Sequence, residues 1–541
     1  MQGVEVAQRG FLDVEALAGE LLAPGSAFAF LAEHRGRLFP DSMMEDLFPS
    51  RRGRPSVPAS VIGSVLVLQA LEGLSDRGTA EALTYDLRWK AACGYGLNET
   101  AFHHTTLTYW RKRLAASERP HRITEAVFEL IESTGVLAGK RRRALDSTVL
   151  DDAVARQDTI TQLIAGIRRF GRDVPDGATL LAAHATGYDY TRVGKPEISW
   201  DDRDAKDALV SALVTDALAL LGAVNPEALE GKAHESYALL ALIAGQDVEP
   251  AEGSDGTDGR WRIARRVAKD RIISVVDPEA RHAHKSRAAL RDGYKAHIVG
   301  EPETGLFTNA AITKAGGAGS GDAEAGIALL AADPSVPAIT GGSTAGGGLP
   351  RDGGDARDPD LQVLGDSAYG SGDMLEALET AGHQALVKPK PLRPAVPGGY
   401  VLDDFAYDPE HGTLTCPNGV VRRISPKGNV NFGAACNDCP LRDACTKAKK
   451  GRKVVITEHH GRQRAHRAAA KDPDFQHDYR TYRPMIERGV AWLVAGNNRR
   501  LRYIGVVKNH AWIHTRIAGL NLKRLLNLGL TTKNGGWALA Q

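Results

Sequence analysis

A chain of 541 residues has room for roughly three or four domains and ample core. Hydrophobic residues make up 43% and charged residues 25%, as in ordinary globular proteins, and 68 Lys+Arg against 66 Asp+Glu leave a net charge of only +2. Total charge therefore says nothing about nucleic acid, and only its distribution can. Five Cys in so long a chain exclude a disulfide framework and point to metal or plain burial in a reducing compartment. Met1 to Leu17 has no basic start followed by an apolar run, so no signal peptide is expected. Val61–Leu68 is too short to span a bilayer, and Ala208–Val224 carries Asp216 and reads as a buried helix. The expected location is cytoplasmic.

In chain order, residues 1–50 read as a helical lead with one helix around Val14–His34. Residues 51–135 read as a helical, DNA-binding domain. A basic hinge, Arg51-Arg52-Gly53-Arg54-Pro55, opens it, and a helix apolar on most faces starts near Pro58. Ser75 caps a helix running to about Trp89, and a further helix carries Leu107, Trp110 and the basic run Arg111, Lys112 and Arg113. Residues 136–150 supply a first strand, Arg141–Leu150, and 151–275 a mostly helical insertion with an acidic loop at Glu249–Gly259. Residues 276–390 hold a hairpin (Gly293–Val299 and Gly305–Thr313), a flexible linker at Gly341–Asp358, a strand at Leu361–Leu364 ending on Gly365-Asp366, a helix after Gly372 and a strand at Gln384–Val387. Residues 391–475 form a basic, Cys-containing insertion. Residues 476–541 hold the last helix, Asp478 to Leu493, and a basic tail. The fold class expected from this order is α+β / α/β multidomain: a ribonuclease-H-like core, interrupted twice, behind a helical N-terminal domain.

Three carboxylates stand where such a core would gather them. Asp146 lies inside the first strand, Asp366 ends the Leu361–Leu364 strand, and Glu487 sits on the last helix with Arg483 one turn earlier on the same face. Two-metal phosphoryl transfer needs such a set, because Mg²⁺ takes hard oxygen ligands. Asp151, Asp152 and Asp373 are read as ordinary surface or capping acids.

These segments resemble the DDE transposases of bacterial insertion sequences, specifically the 1182 group. Ser75-Asp76-Arg77 with Leu87-Arg88-Trp89 is similar to the family's N-terminal helical domain, and Leu145-Asp146-Ser147-Thr148 to its first catalytic block. Asp277–Arg281 with Gly293–His297 resembles the approach to the second strand. Gly365–Gly370 resembles the second catalytic block. Arg483, Glu487, Arg500, Arg502, Tyr503 and Gly505 resemble the third. The family also places a Tyr one turn before that Arg and a Lys two turns after the Glu. This chain has Arg480 and Val494 there, with Tyr479, Tyr482, Arg499 and Arg500 nearby.

The resemblance implies cleavage of the element's own ends and joining of the freed 3′-hydroxyl to target DNA. It implies Mg²⁺ (or Mn²⁺) held by Asp146, Asp366 and Glu487, and double-stranded DNA as partner, meaning terminal inverted repeats and target. It further implies a homodimer in the DNA complex and a nucleoid-associated location. A ribonuclease-H-like nuclease that does not join, and an inactive DNA-binding protein, are the alternatives.

Cys416, Cys436, Cys439 and Cys445 could complete a tetrahedral Zn²⁺ site, with buried thiols or a redox pair as alternatives. Basic residues crowd 447–467. After Glu487 there is no Asp or Glu to the end of the chain, while Arg499, Arg500, Arg502, Lys508, Arg516, Lys523 and Arg524 follow, interleaved with Tyr503, His510 and Trp512. This run is expected to form a phosphate-binding surface, with Arg483, Arg499, Arg500, Arg502, Tyr503 and Lys508 as DNA contacts beside Arg111, Lys112 and Arg113.

Overall fold

The computed structural model describes residues 1–5, 10–50, 52–286, 289–336 and 361–540; the expected linker at 341–358 lies outside them. Helices dominate the first part: α1 (Ala27–Leu38), α2 (Ala59–Glu72), α3 (Asp76–Tyr85), α4 (Leu87–Cys93), α5 (Thr105–Ala115) and α6 (Arg122–Thr134). The single helix expected at Val14–His34 is two, Val14–Ala18 and α1. Pro24 and Gly25 break it, and Ser26 caps the restart by accepting the Ala29 N–H at 3.2 Å. The helix expected to reach Trp89 likewise stops at Tyr85, because Asp86 turns extended and caps α4. As its sequence suggests, α2 is buried along nearly its whole length. It ends on Gly73 at φ 65, where a Cβ would lie 2.1 Å from the Gly496 carbonyl oxygen, so only glycine fits.

The central sheet has six strands: β1 (Arg142–Asp151), β2 (Arg281–Ser286), β3 (Ala289–Glu301), β4 (Leu306–Lys314), β5 (Gln362–Gly365) and β6 (Gln384–Val387). β1 lies in the middle, antiparallel to β3 and parallel to β5; β4 pairs β3 antiparallel, and β6 pairs β5 parallel. The strand order is thus β4-β3-β1-β5-β6, with β2 continuing the far end of β3. Gly293 lets β3 cross close to β1, since a Cβ there would sit 2.3 Å from the Leu150 carbonyl oxygen.

Between β1 and β2 the chain makes α7 (Thr159–Asp173), α8 (Arg203–Gly222) and α9 (Gly231–Gln246), which share a core around Leu163, Ile167, Leu213 and Ile243. Asp216 in α8 is buried and accepts the Tyr190 hydroxyl at 2.6 Å. After β4 comes α10 (Asp322–Ala331), and between β5 and β6 comes α11 (Gly372–Thr380); their apolar sides share a core with Leu145, Val299 and Val363 on one face of the sheet. α12 (Pro473–Val494) and α13 (Val506–Asn527) cover the other face, around Ala144, Ile298, Ile486 and Ile513. Among the described residues, no single helix is long and apolar enough to cross a membrane.

Two expectations are corrected here. The last core helix begins at Pro473 rather than Asp478, because Asp472 caps it and Pro473 occupies the first helical position. The segment read as a basic tail contains α13, a packed helix. Its Arg516 is 2% exposed and donates to the carbonyls of Ala70, Leu71, Trp492, Leu493 and Ala495. The C-terminal ends of α2 and α12 present unpaired carbonyls and negative dipole ends, and one guanidinium satisfies both. Much of the basic charge near 447–467 is also spent internally: Arg467 pairs with Asp403 at 2.7 Å, Arg462 with Glu379 at 2.5 Å, and Arg464 donates to the Phe405 carbonyl at 2.6 Å. Lys447, Lys449 and Lys450 remain exposed.

Candidate active site

Asp146 sits mid-strand on β1 opposite Ile298 of β3, on the sheet face that α12 covers. Asp366 lies just beyond β5. Because β5 runs parallel to β1 with Ala144 beside Leu364, each aspartate stands two residues past that pair and the two come side by side at the carboxyl edge. α12 brings Glu487 to the same place. Asp146, Asp366 and Glu487 all line one cavity of about 880 Å³.

The local bonds fix these groups. Asp146 accepts the Ser147 N–H at 2.7 Å on one carboxylate oxygen and Arg483 Nη2 at 2.8 Å on the other. Asp366 accepts the Ala368 N–H at 2.8 Å in the turn after β5. Burial raises the pKa of Asp146 above the usual carboxylate value, the Arg483 charge lowers it, and the neighbouring Asp366 and Glu487 raise it further. Glu487 is 63% exposed at its side chain and only 3.6 Å from Arg483 Nε. The three carboxylates face each other electrostatically across the cavity, but they are not drawn into one tight ligand set.

Arg483 is 5% exposed, and its Nη1 donates to the Leu145 carbonyl at 2.5 Å. The structure thus ties it to β1 and Asp146 more closely than to open solvent. Arg499 lines the cavity and donates to the Val149 carbonyl at 3.1 Å. The other expected DNA contacts lie elsewhere. Arg500 and Lys508 are exposed; Arg502, also exposed, donates to the Gly73 carbonyl; Tyr503 is half-buried with the Arg111 guanidinium 5.0 Å above its ring. Arg111 is bound to Asp76, Arg113 donates to the Leu47 carbonyl, and Lys112 is exposed. Asp151 pairs with Arg291 at 2.7 Å, and Asp373 lies 3.1 Å from His459. Asp152 is buried, and its pKa is pushed up to about 6 by burial beside Asp277 and Asp292.

Sequence reading missed a fourth carboxylate in the cavity. Asp322, at the start of α10, is ion-paired with Lys295 of β3 at 2.7 Å, and its second oxygen has no hydrogen-bond partner. His297, fully buried two residues on, has its Nδ1 3.6 Å from that oxygen. The Gly293–His297 block contained this signal, since Lys295 and His297 share a strand face.

The four cysteines of the second insertion line one cavity together with Phe432 and Arg452. Burial raises the Cys445 thiol pKa, and the other three cysteines add to it. The sulfurs do not reach the mutual spacing of a formed ligand set, which among the described residues is met by a histidine group elsewhere.

Residues 415–526 match the family described as Transposase DDE domain, and residues 30–113 match Transposase domain (DUF772). The first match contains Glu487 and ends before the close of α13; Asp146 and Asp366 lie outside it. Together the two matches indicate a transposase and support the DDE class, without distinguishing the 1182 group within it. No curated protein and no solved structure matches the chain.

Proposed function

We propose that this chain is a DDE transposase that cleaves the ends of its own insertion sequence and joins the 3′-hydroxyl to target DNA. The observation that carries the proposal is the convergence of Asp146, Asp366 and Glu487, from three distant segments, on one cavity. The β4-β3-β1-β5-β6 order, with three antiparallel strands followed by two parallel ones, supports a ribonuclease-H-like core.

The donor set suits Mg²⁺ or Mn²⁺: hard oxygen ligands and several acids lining one cavity. Bound there, two such ions would supply an activated nucleophile and a stabilised leaving oxygen. Asp146 and Asp366 would hold them from the sheet edge, and Glu487 from the helix. In this reading Arg483 acts on Asp146, fixing its orientation through the Leu145 carbonyl, and Arg499 and Lys295 give the DNA backbone its cationic rim. A second part of the proposal is one Zn²⁺ at Cys416, Cys436, Cys439 and Cys445, since four thiols line a common cavity in a small subdomain. Metal analysis of protein prepared without chelator checks it.

The test is an assay on labelled element-end DNA with a target plasmid in Mg²⁺. Wild-type protein is expected to cut and join. Asp146→Asn, Asp366→Asn and Glu487→Gln are each expected to lose on the order of 10³-fold, the equivalent of several kcal/mol of charge stabilisation, with DNA binding retained. Cutting without joining would make the chain a nuclease, and near-normal cutting by any one variant would remove that residue from the site.

A further inference from the structure

At the junction between the N-terminal helices and α13, three histidines meet. His510 and His514 stand four residues apart on α13, so they share a helix face, and His121 reaches them from the turn that opens α6. One nitrogen from each can be chosen so that all three lie within 4.8 Å of one another. His510 Nε2 and His514 Nε2 are 3.2 Å apart. Two nitrogens on one tetrahedral ion, with bonds of about 2.05 Å, are separated by about 3.3 Å. Two histidines at this helical spacing are a known way to clasp Zn²⁺. All three residues are half-buried, which keeps an ion reachable from solvent.

We propose that His121, His510 and His514 form a binding site for a borderline transition-metal cation of the Zn²⁺, Co²⁺ or Ni²⁺ type. The site joins the helical N-terminal region to the catalytic sheet's outer helix. It is separate from the carboxylate cavity and from the cysteine cavity, and it does not depend on the transposase reading.

Protonation does not compete with metal near neutral pH. Burial lowers all three pKa values, against Glu125 at His121 and helped by repulsion from the neighbouring histidines at the other two: His510 falls to about 4 and His514 to about 2. The rings are therefore neutral at pH 7. Two features of the metal-free geometry have to give. The His121 ring stacks on His514, with centroids 3.9 Å apart, and must turn its nitrogen edge inward; it comes from a turn, where such rotation is easy. The Ile312 N–H donates to His510 Nδ1 at 3.3 Å, which places the neutral ring's proton on Nε2. Ligation through Nε2 shifts that proton to Nδ1 and gives up this long bond. An imidazole selects borderline cations over Mg²⁺, so the site should ignore the ion that the carboxylates take.

The experiment is a Co²⁺ titration of the full chain, stripped of metal and held at pH 7.5, followed by visible absorption and by thermal melting. We expect d–d bands of a nitrogen-ligated ion, separate from any near-ultraviolet sulfur-to-cobalt band that the cysteine cavity gives, and a Tm that rises with Co²⁺ concentration. His121→Asn, in a turn, and His514→Phe, which keeps a ring for packing, should each weaken binding at least about tenfold. They should leave any sulfur-to-cobalt band unchanged. Absence of nitrogen-type bands in the wild type would overturn the proposal, as would undiminished bands in His121→Asn, which decides the matter should His514→Phe fail to fold.

Discussion

α12 and α13 are both 22 residues long, lie on the same face of the sheet, and each buries an arginine, yet they use it in opposite ways. Arg483 of α12 meets the Asp146 carboxylate and faces a cavity, while Arg516 of α13 meets five carbonyls where two helices end. Burial lowers the Arg516 pKa to about 10, with no acid to offset it. A buried cation can be satisfied by charge or by aligned dipoles. Only the first arrangement leaves a carboxylate poised toward open space, and so marks a site.

The contrast can be broken in order of expected effect. Arg516→Met should leave several buried carbonyls unpaired and cost about 3 kcal/mol or more of stability, read as a fall in Tm, while whatever protein stays folded cuts DNA at its normal rate. A specific loss of cutting with an unchanged Tm would erase the distinction between the two helices. Arg483→Lys keeps the charge but loses the fork that spans the Leu145 carbonyl and Asp146. We expect roughly 10- to 100-fold slower cleavage, about 1.4 to 2.7 kcal/mol, with a smaller change in Tm. A silent rate would return Arg483 to a purely structural role.

Acid should act on the junction rather than on the cavity. His510 and His514 titrate well below their unfolded value of about 6.5. The unfolded chain therefore binds more protons as pH falls from about 6.5 towards 4. Stability is full above that window and declines through it, visible as a dropping Tm. A Tm that is flat between pH 7 and 4.5 would contradict the buried neutral state. The smallest effect belongs to Glu487→Gln: its ion pair with Arg483 is long and largely exposed, so stability should shift by less than about 0.5 kcal/mol even as cleavage is lost.

Much of this was readable from sequence. The alternating runs around Gly305 gave the β3–β4 hairpin, and Gln384–Val387 matches β6 residue for residue. Asp146 could be singled out because it interrupts an apolar strand, where an acid is costly without a partner, Asp366 because it ends one, and Glu487 by its place on the last helix one turn after Arg483. Asp322 was missed, because it opens helix α10 while its partners Lys295 and His297 lie on β3, and only the fold brings them together. Arg516 of α13 was missed for the opposite reason. The basic run suggested a solvated, phosphate-binding surface, and Lys508 and Lys523 are exposed, but Arg516 turns inward to carbonyls contributed by α2 and α12. Charge in a sequence does not say whether its partner is a phosphate or a helix end.

The central claim is that Asp146 and Asp366 are metal ligands of one DNA-cutting centre. Replacing each by cysteine tests it most directly, because a thiolate binds Mg²⁺ poorly and accepts softer Mn²⁺ more readily. Asp146→Cys and Asp366→Cys should bind element-end DNA, fail to cut it in Mg²⁺, and recover measurable cutting in Mn²⁺. Near-normal cutting in Mg²⁺ by either variant would contradict the account.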